Sequence, residues 1–329
     1  AAGLGRASRS GALFRAEVGG RPVWLERVWD GWHFTSAAGK KGVACGRFSP
    51  DLCADYEKAA TTGEPDASIL ALLKASSPAG VLNRISAPTL LSQGEQDSLF
   101  PLGQAAANAR GIAANGTPLK VIWRSGGHDG GTSTTDLEQD LEGWFDPVLL
   151  HQGQANASFD ITVPGAGISS ATGRNVSASM QVDRGYSTGR TQPVGVRGQA
   201  QTIYAPAGGS PASVTSVPGL GGLLSTAATL NASRSLSAIP GQVALFASQP
   251  LPVSLLMAGS STVKLDVTAH AATDATLFAA AHTVAPDGSD TRAAGLVAPI
   301  RRTRISPRDA RTRPVPLPPV VANLTHRAA

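Results

Sequence analysis

Gln93-Gly94-Glu95-Gln96-Asp97-Ser98-Leu99-Phe100-Pro101 follows the apolar run Pro88 to Leu91, and Ser125-Gly126-Gly127-His128-Asp129-Gly130-Gly131 follows the run Leu119 to Trp123. Each motif therefore reads as a loop just past the C-terminal end of a strand, which is where an α/β sheet collects its catalytic groups. Working outward, the segment Asn83 to Leu150 alternates: strand Thr89 to Ser92, helix Leu102 to Ala114, strand Leu119 to Trp123, helix Thr135 to Phe145. That order predicts parallel strands joined by helical crossovers. Asn115-Gly116 should end the first helix at a left-handed position, and Ser133 or Thr134 can cap the second. Two such units do not complete a sheet, so partner strands must come from elsewhere in the fold.

Up to about Leu82 the text reads as helical, with helices expected over Asp51 to Ala60 and Asp66 to Leu73, the second carrying Asp66 as its N-cap. Trp24, Trp29 and Trp32 crowd together beside His33. Such a cluster reads as a packing face first and as the lining of an apolar substrate cleft second, with His33 structural. Beyond His151 the composition turns to Gly, Ser, Thr and Ala with few charges. Short alternating runs follow at Ser158 to Val163, Val176 to Val182, Gln201 to Tyr204, Gln242 to Phe246, Val263 to His270 and Leu277 to Val284. Turn signals such as Pro164-Gly165, Pro240-Gly241 and Asp287-Gly288 separate them, which predicts an all-β sandwich or jelly roll. The last segment, Arg301 to Ala329, reads as a basic, Pro-rich tail in which only Pro318 to Leu324 looks like a strand.

The chain has 329 residues, 42% of them hydrophobic, enough for one large or two medium domains. Its net charge is +5, but seven arginines fall in the last 29 residues and the remainder is close to neutral, which argues against a nucleic-acid face. No run of about 18 apolar residues predicts a membrane span. Ala1-Ala2-Gly3 shows neither an initiator Met nor an apolar signal core and reads as a cut end. Cys45 and Cys53 flank the turn-capable Phe48-Ser49-Pro50. A disulfide there would imply an exported or extracellular protein, and two reduced thiols near a helix start is the equal alternative.

Asp97 can accept the N–H of an imidazole, fix its tautomer and stabilise the imidazolium; equally, it can cap the turn before Pro101. His128 lies 31 positions later between pairs of glycines that let the backbone present the ring in a tight loop. In this order, each after its own strand, Asp97 and His128 read as the acid and base of a hydrolase triad. The nucleophile is harder to find. Gly185-Tyr186-Ser187-Thr188-Gly189 has the letters of a nucleophile elbow, but it follows the acid and base, and Arg190 to Gly195 is a poor helix start, so Ser187 reads as a turn residue. The remaining histidines, including His151, His270, His282 and His326, lack partners at ligand spacing, and no phosphate loop or dinucleotide fingerprint occurs, so no metal or cofactor is expected. Five N-x-S/T triplets begin at Asn115, Asn156, Asn175, Asn231 and Asn323.

Ile85 to Asp97 and Gly126 to Gly131 resemble the acid and histidine segments of the X-Pro dipeptidyl-peptidase and cocaine-esterase type of serine hydrolase. Val263 to Val267, Thr276 to Ala285, Pro286-Asp287-Gly288-Ser289 and Gly295 to Ile300 resemble that family's C-terminal jelly-roll domain, which is of the galactose-binding-like kind. The resemblance extends over roughly Cys45 to Ile300. It implies an α/β plus all-β architecture: a helical cap-like segment over 1–82, the C-terminal part of an α/β-hydrolase domain over 83–150, a jelly roll over 151–300, and a tail or incomplete last strands over 301–329. By the same resemblance, the nucleophile segment, the oxyanion-hole residues and the first strands of the sheet would precede residue 1, and the jelly roll would continue past Leu324.

The implied function is hydrolysis of a peptide or a small ester through an acyl-enzyme, with His128 as general base then acid and Asp97 orienting it. Residues 1–329 alone are then expected to show no triad chemistry, the partner they need being a segment that carries the serine. The alternative is a non-catalytic β-sandwich binding module that keeps a hydrolase remnant.

Overall fold

The computed structural model describes residues 17–18, 21–22, 49–62, 65–97, 100–127, 136–168, 175–186, 191–204, 241, 243–271, 273–284, 290–292, 298–307, 313–317 and 319–324. Trp24, Trp29, Trp32, His33, Cys45, His128, Ser133, Thr134 and Ser187 lie outside them. The described residues combine helices with several sheets, an α/β part followed by a β part.

The first elements are a short strand pair, β1 (Glu17–Val18) with β2 (Arg21–Pro22), then helices α1 (Pro50–Thr62) and α2 (Ala67–Ala75). Asp66 caps α2 as its sequence predicts, its Oδ1 accepting from the N–H groups of Ser68 (2.9 Å) and Ile69 (3.1 Å). Lys58 of α1 pairs with the same carboxylate, which ties the two helices together. Hydrogen bonding from Lys58 and then Ser68 holds the Asp66 carboxyl below the usual range. Ala59 of α1 and Ile69 and Leu73 of α2 make a small apolar cluster of their own. Cys53, in α1, is disulfide-bonded.

A four-stranded sheet follows, in the order β3 (Thr89–Gly94), β4 (Leu119–Arg124), β5 (Phe159–Ile168), β6 (Asn175–Asp183). Helix α3 (Leu102–Ala113) joins β3 to β4, and α4 (Asp136–Leu150) joins β4 to β5. The first three strands are parallel, with Thr89 opposite Leu119 and Val121 opposite Phe159, and β6 is antiparallel to β5. Ser158 to Val163 was expected among the strands of the β half; instead Phe159 to Val163 belong to β5, beside β4. The expected turn at Pro164-Gly165 lies inside β5, at an irregularity between Val163 and Gly167 that accommodates a residue without an N–H. Helix α3 ends as predicted, with Gly116 at φ +72°.

The core explains the arrangement. Leu102, Ala106, Ala109 and Ile112 recur at helical spacing on one face of α3 and meet Leu119, Val121 and Trp123, the alternate residues of β4, together with Phe159, Ile161 and Val163 of β5. Trp123 and Phe159 meet edge to face, with centroids 4.9 Å apart. On the other face of β4, Lys120 is buried: its Nζ lies 2.6 Å from Asp160 Oδ2, 2.9 Å from Ser158 Oγ and 3.2 Å from Asp140 Oδ1. Asp140 is on α4, so this network fastens that helix to the sheet.

The β part consists of antiparallel pairs. β7 (Val196–Arg197) pairs with β8 (Ala247–Ser248). The next eight strands are β9 (Leu255–Gly259), β10 (Thr262–Leu265), β11 (Thr273–Ala279), β12 (His282–Val284), β13 (Asp290–Arg292), β14 (Ala298–Ile305), β15 (Arg313–Pro316) and β16 (Val320–Leu324). Their pairs are nested: β9 with β16, β10 with β15, β11 with β14, and β12 with β13. The segment read as a tail thus holds most of three strands. In β15, Val315 is buried while Pro314 and Pro316 face outward, an alternation that the density of Arg and Pro conceals. Gln201 to Tyr204, expected as a strand, is none; the Gln201 side chain instead bonds both backbone groups of Leu245 (2.7 and 3.1 Å), doing locally what a ladder would do. Val263 to His270 is a strand only over its first part. Val321 of β16 reaches into the α/β core beside Ala258, and Pro319 packs on Gly103 in the first turn of α3.

Candidate active site

The two motifs close against each other at the C-terminal ends of β3 and β4. Glu95 N–H donates to Arg124 O (2.8 Å), continuing the parallel ladder one step beyond the strands. Gln96 then clamps the second turn from both sides: its N–H donates to Gly126 O (3.1 Å), and its Oε1 accepts from Gly126 N–H. Two glycines make this approach feasible. A Cβ on Gly94 would overlap Gly126 O, and a Cβ on Gly127 would stand 2.5 Å from Asp97 Cα. Gly126 itself has φ +92°, a conformation that disfavours any side chain.

Asp97 is 3% exposed at the end of this turn. Its Oδ1 accepts from Phe100 N–H (2.8 Å), and its Oδ2 from Gln93 Nε2 (3.1 Å). The turn-capping role and the orienting role foreseen for Asp97 are therefore compatible, since one carboxylate has room for several donors. The chain passes Gly127 in backbone contact with Asp97, and the next residue, His128, lies outside the described residues. The order and spacing of the motifs are thus matched by a physical junction that ends one residue short of the histidine.

The sequence did not single out Glu95, Gln93 or Gln96, although each shapes the turn. Glu95 is 1% exposed; its Oε1 accepts from Thr162 N–H on β5 (3.0 Å), and its Oε2 has no hydrogen-bond partner among the described residues. Burial raises its pKa to about 8, and the Thr162 N–H opposes that shift. The only sequence signal for this was the placement of an acid between a strand-end glycine and a second acid.

The G-x-S-x-G motif falls elsewhere. Tyr186, which precedes Ser187, packs edge to face on Phe159 (5.2 Å), and burial raises its phenol while Arg110 lowers it. Phe159 begins β5 and pairs with Asp183 at the end of β6, so Tyr186 stands at the N-terminal end of the parallel strands. Thr162, level with the acid turn, is three residues along β5, roughly 10 Å away at strand rise. The topology puts Gly185 and Tyr186 at the end of the sheet opposite Asp97, while Ser187 to Gly189 lie outside the described residues.

Asn115 Nδ2 donates to Leu82 O (2.6 Å) and Ile85 O (3.3 Å), so this amide is engaged in closing the turn before β3. Among the described residues no group of three or more His, Cys, Asp or Glu could hold a metal ion. Likewise, no helix among them is long and apolar enough to cross a membrane. No protein-family model matches the chain, and no curated protein sequence matches it.

Proposed function

We propose that this chain carries the acid and base of a serine hydrolase of the X-Pro dipeptidyl-peptidase and cocaine-esterase type, acting on a peptide or a small ester through an acyl-enzyme. The observation that carries this reading is the junction of the two turns, which brings Asp97 against Gly127 at the C-terminal ends of neighbouring parallel strands. Asp97 accepts the imidazole N–H of His128, fixes its tautomer and stabilises the imidazolium, while the opposite ring nitrogen exchanges the proton of the nucleophile and then of the leaving group. The nucleophilic serine comes from a strand–turn–helix elbow that none of the motifs here supplies. The nested pairing of β9 to β16 supports a jelly roll as the second domain, since nested antiparallel pairs are the connectivity of that fold. α1 and α2 would then belong to a cap. The disulfide of Cys53 supports an oxidising, exported setting.

The test needs no substrate. In a nitrogen-resolved NMR titration of the imidazoles, Asp97→Asn should lower the His128 pKa by about one unit or more, because the variant removes a negative partner. An unchanged His128 titration in a folded variant overturns the pairing. Fluorophosphonate labelling of the chain should modify no serine; a mapped serine whose labelling disappears in His128→Ala would place the nucleophile within these residues instead.

A further inference from the structure

We propose that Glu95 is the positioning residue of the acid turn: its buried carboxyl clips Gly94 to Asp97 onto β5, and ionising that carboxyl releases the clip. The proposal rests on the reading of Asp97 as the triad acid. It begins from an unusual placement. Glu95 lies between the glycine that lets the two turns meet and the acid they enclose, yet it points to neither turn. Its Oε1 takes the N–H of Thr162, on the strand that flanks β4 on the far side from β3. Backbone bonds from Glu95 and Gln96 hold the turn to β4's end, and the Glu95 side chain extends the hold to a third strand. Among the described residues, the Glu95 carboxyl is what bonds this turn to β5.

That carboxyl has little to stabilise a charge. Its Oε2 is buried without a hydrogen-bond partner among the described residues, an arrangement far more costly for a carboxylate than for a neutral acid. Among the described residues, the charged groups on the surrounding elements are otherwise engaged. In its own turn, Asp97 is held by Gln93 and Phe100. On β4, Arg124 turns to Ser92 Oγ and Ser125 O, and Lys120 is taken by Asp160 of β5 and Asp140 of α4. On α3, Arg110 serves Tyr186 at the opposite end of the sheet, where Asp183 of β6 also lies. Burial alone is the leading influence on Glu95, and it favours the neutral form. A neutral acid accepts the Thr162 N–H at Oε1 and leaves only an uncharged hydroxyl unsatisfied.

The sign of the pH effect follows. Glu95 binds its proton more tightly in the closed turn, with a pKa of about 8, than in an open turn, where the ordinary 4.5 applies. Its contribution is fully present below pH 4.5 and is lost as pH rises through 8.

Native-state amide exchange on the full chain tests this, with rates corrected for intrinsic exchange. In the wild type, protection of both Thr162 N–H and Gln96 N–H should fall about tenfold per pH unit above pH 5 and level off above about 8. In E95Q, which keeps an acceptor for Thr162 and cannot ionise, both profiles should be flat. A flat wild-type profile, an unchanged slope in E95Q, or a response confined to Thr162 overturns the proposal. If E95Q does not fold, a 13C titration of the Glu95 carboxyl in the wild type decides: a midpoint near 8 supports the clip, and one in the ordinary carboxyl range overturns it. Exchange reads the turn and not the triad, so a failed His128 titration would leave this result standing, and a flat exchange profile would leave the His128 titration standing.

Discussion

Lys120 of β4 and Lys264 of β10 are both strand lysines, and the two halves of the molecule treat them in opposite ways. Lys120 is 4% exposed, ringed by Asp160, Ser158 and Asp140 in a strand covered on both faces. Lys264 is exposed on a strand that alternates between outward and half-buried positions. A strand buried on both faces reads as nearly continuous, and any charge on it must find partners inside the protein. A strand buried on one face leaves its charges to water. The α/β half therefore commits polar groups to fixed geometry, whereas the nested strands leave many large apolar groups partly in solvent, among them Leu256, Phe278 and Val284.

The contrast can be broken at its strongest point. Lys120→Met leaves Asp160 and Asp140 without their cation and should cost about 3–5 kcal/mol in urea unfolding, the usual loss when one partner of a buried pair is removed. Next comes the glycine junction: Gly94→Ala forces a methyl into Gly126 O, and we expect a loss of about 3 kcal/mol with both turns displaced, read by unfolding and by amide shifts at Gln96 and Gly126. Val321→Ala probes the place where the two halves share a core; removing two buried methyl groups should cost about 2 kcal/mol, visible in Trp123 fluorescence although the substitution lies in β16. Lys264→Met should stay within about 0.5 kcal/mol of the wild type. Equal losses at Lys120 and Lys264 would erase the distinction between the halves.

Much of the first half was legible because its signals are local. Asp66 caps α2, Gly116 ends α3, and the apolar runs before Gly94 and Ser125 are strands, all as their residues dictate. Asp97 was singled out as a candidate from its position after a strand, and the structure adds the donors on its two oxygens. His128 could be named from its glycine-rich loop, though it lies outside the described residues. Gln93, Gln96 and Glu95 were passed over because nothing in a Gln or a Glu at a strand end announces which group it will meet. The role of Gln96 arises only when two turns 30 residues apart come within bonding distance, and that of Glu95 only when β5 arrives beside them.

The β half was less legible for a related reason. Gln201 to Tyr204 and Val263 to His270 alternate like strands, but a strand exists only where a partner takes its hydrogen bonds: the Gln201 side chain takes those of Leu245, and β10 pairs with β15 only as far as Leu265. Conversely, Arg313 to Pro316 carries two prolines and still pairs, because Lys264 and its neighbours in β10 present the matching edge.

By itself, the sequence determined the elements and their kind: helices from caps and 3.6-residue spacing, parallel strands from alternation with helices, and an acid and a histidine each placed after a strand. These depend on interactions within a few residues. Only the tertiary structure decided that β5 joins the parallel sheet, that β9 to β16 nest, that Tyr186 packs at the end of the sheet opposite Asp97, and that Glu95 is sealed from water. Those facts depend on which distant surfaces exclude solvent together, and burial is a property of the assembled fold that no single stretch of chain contains.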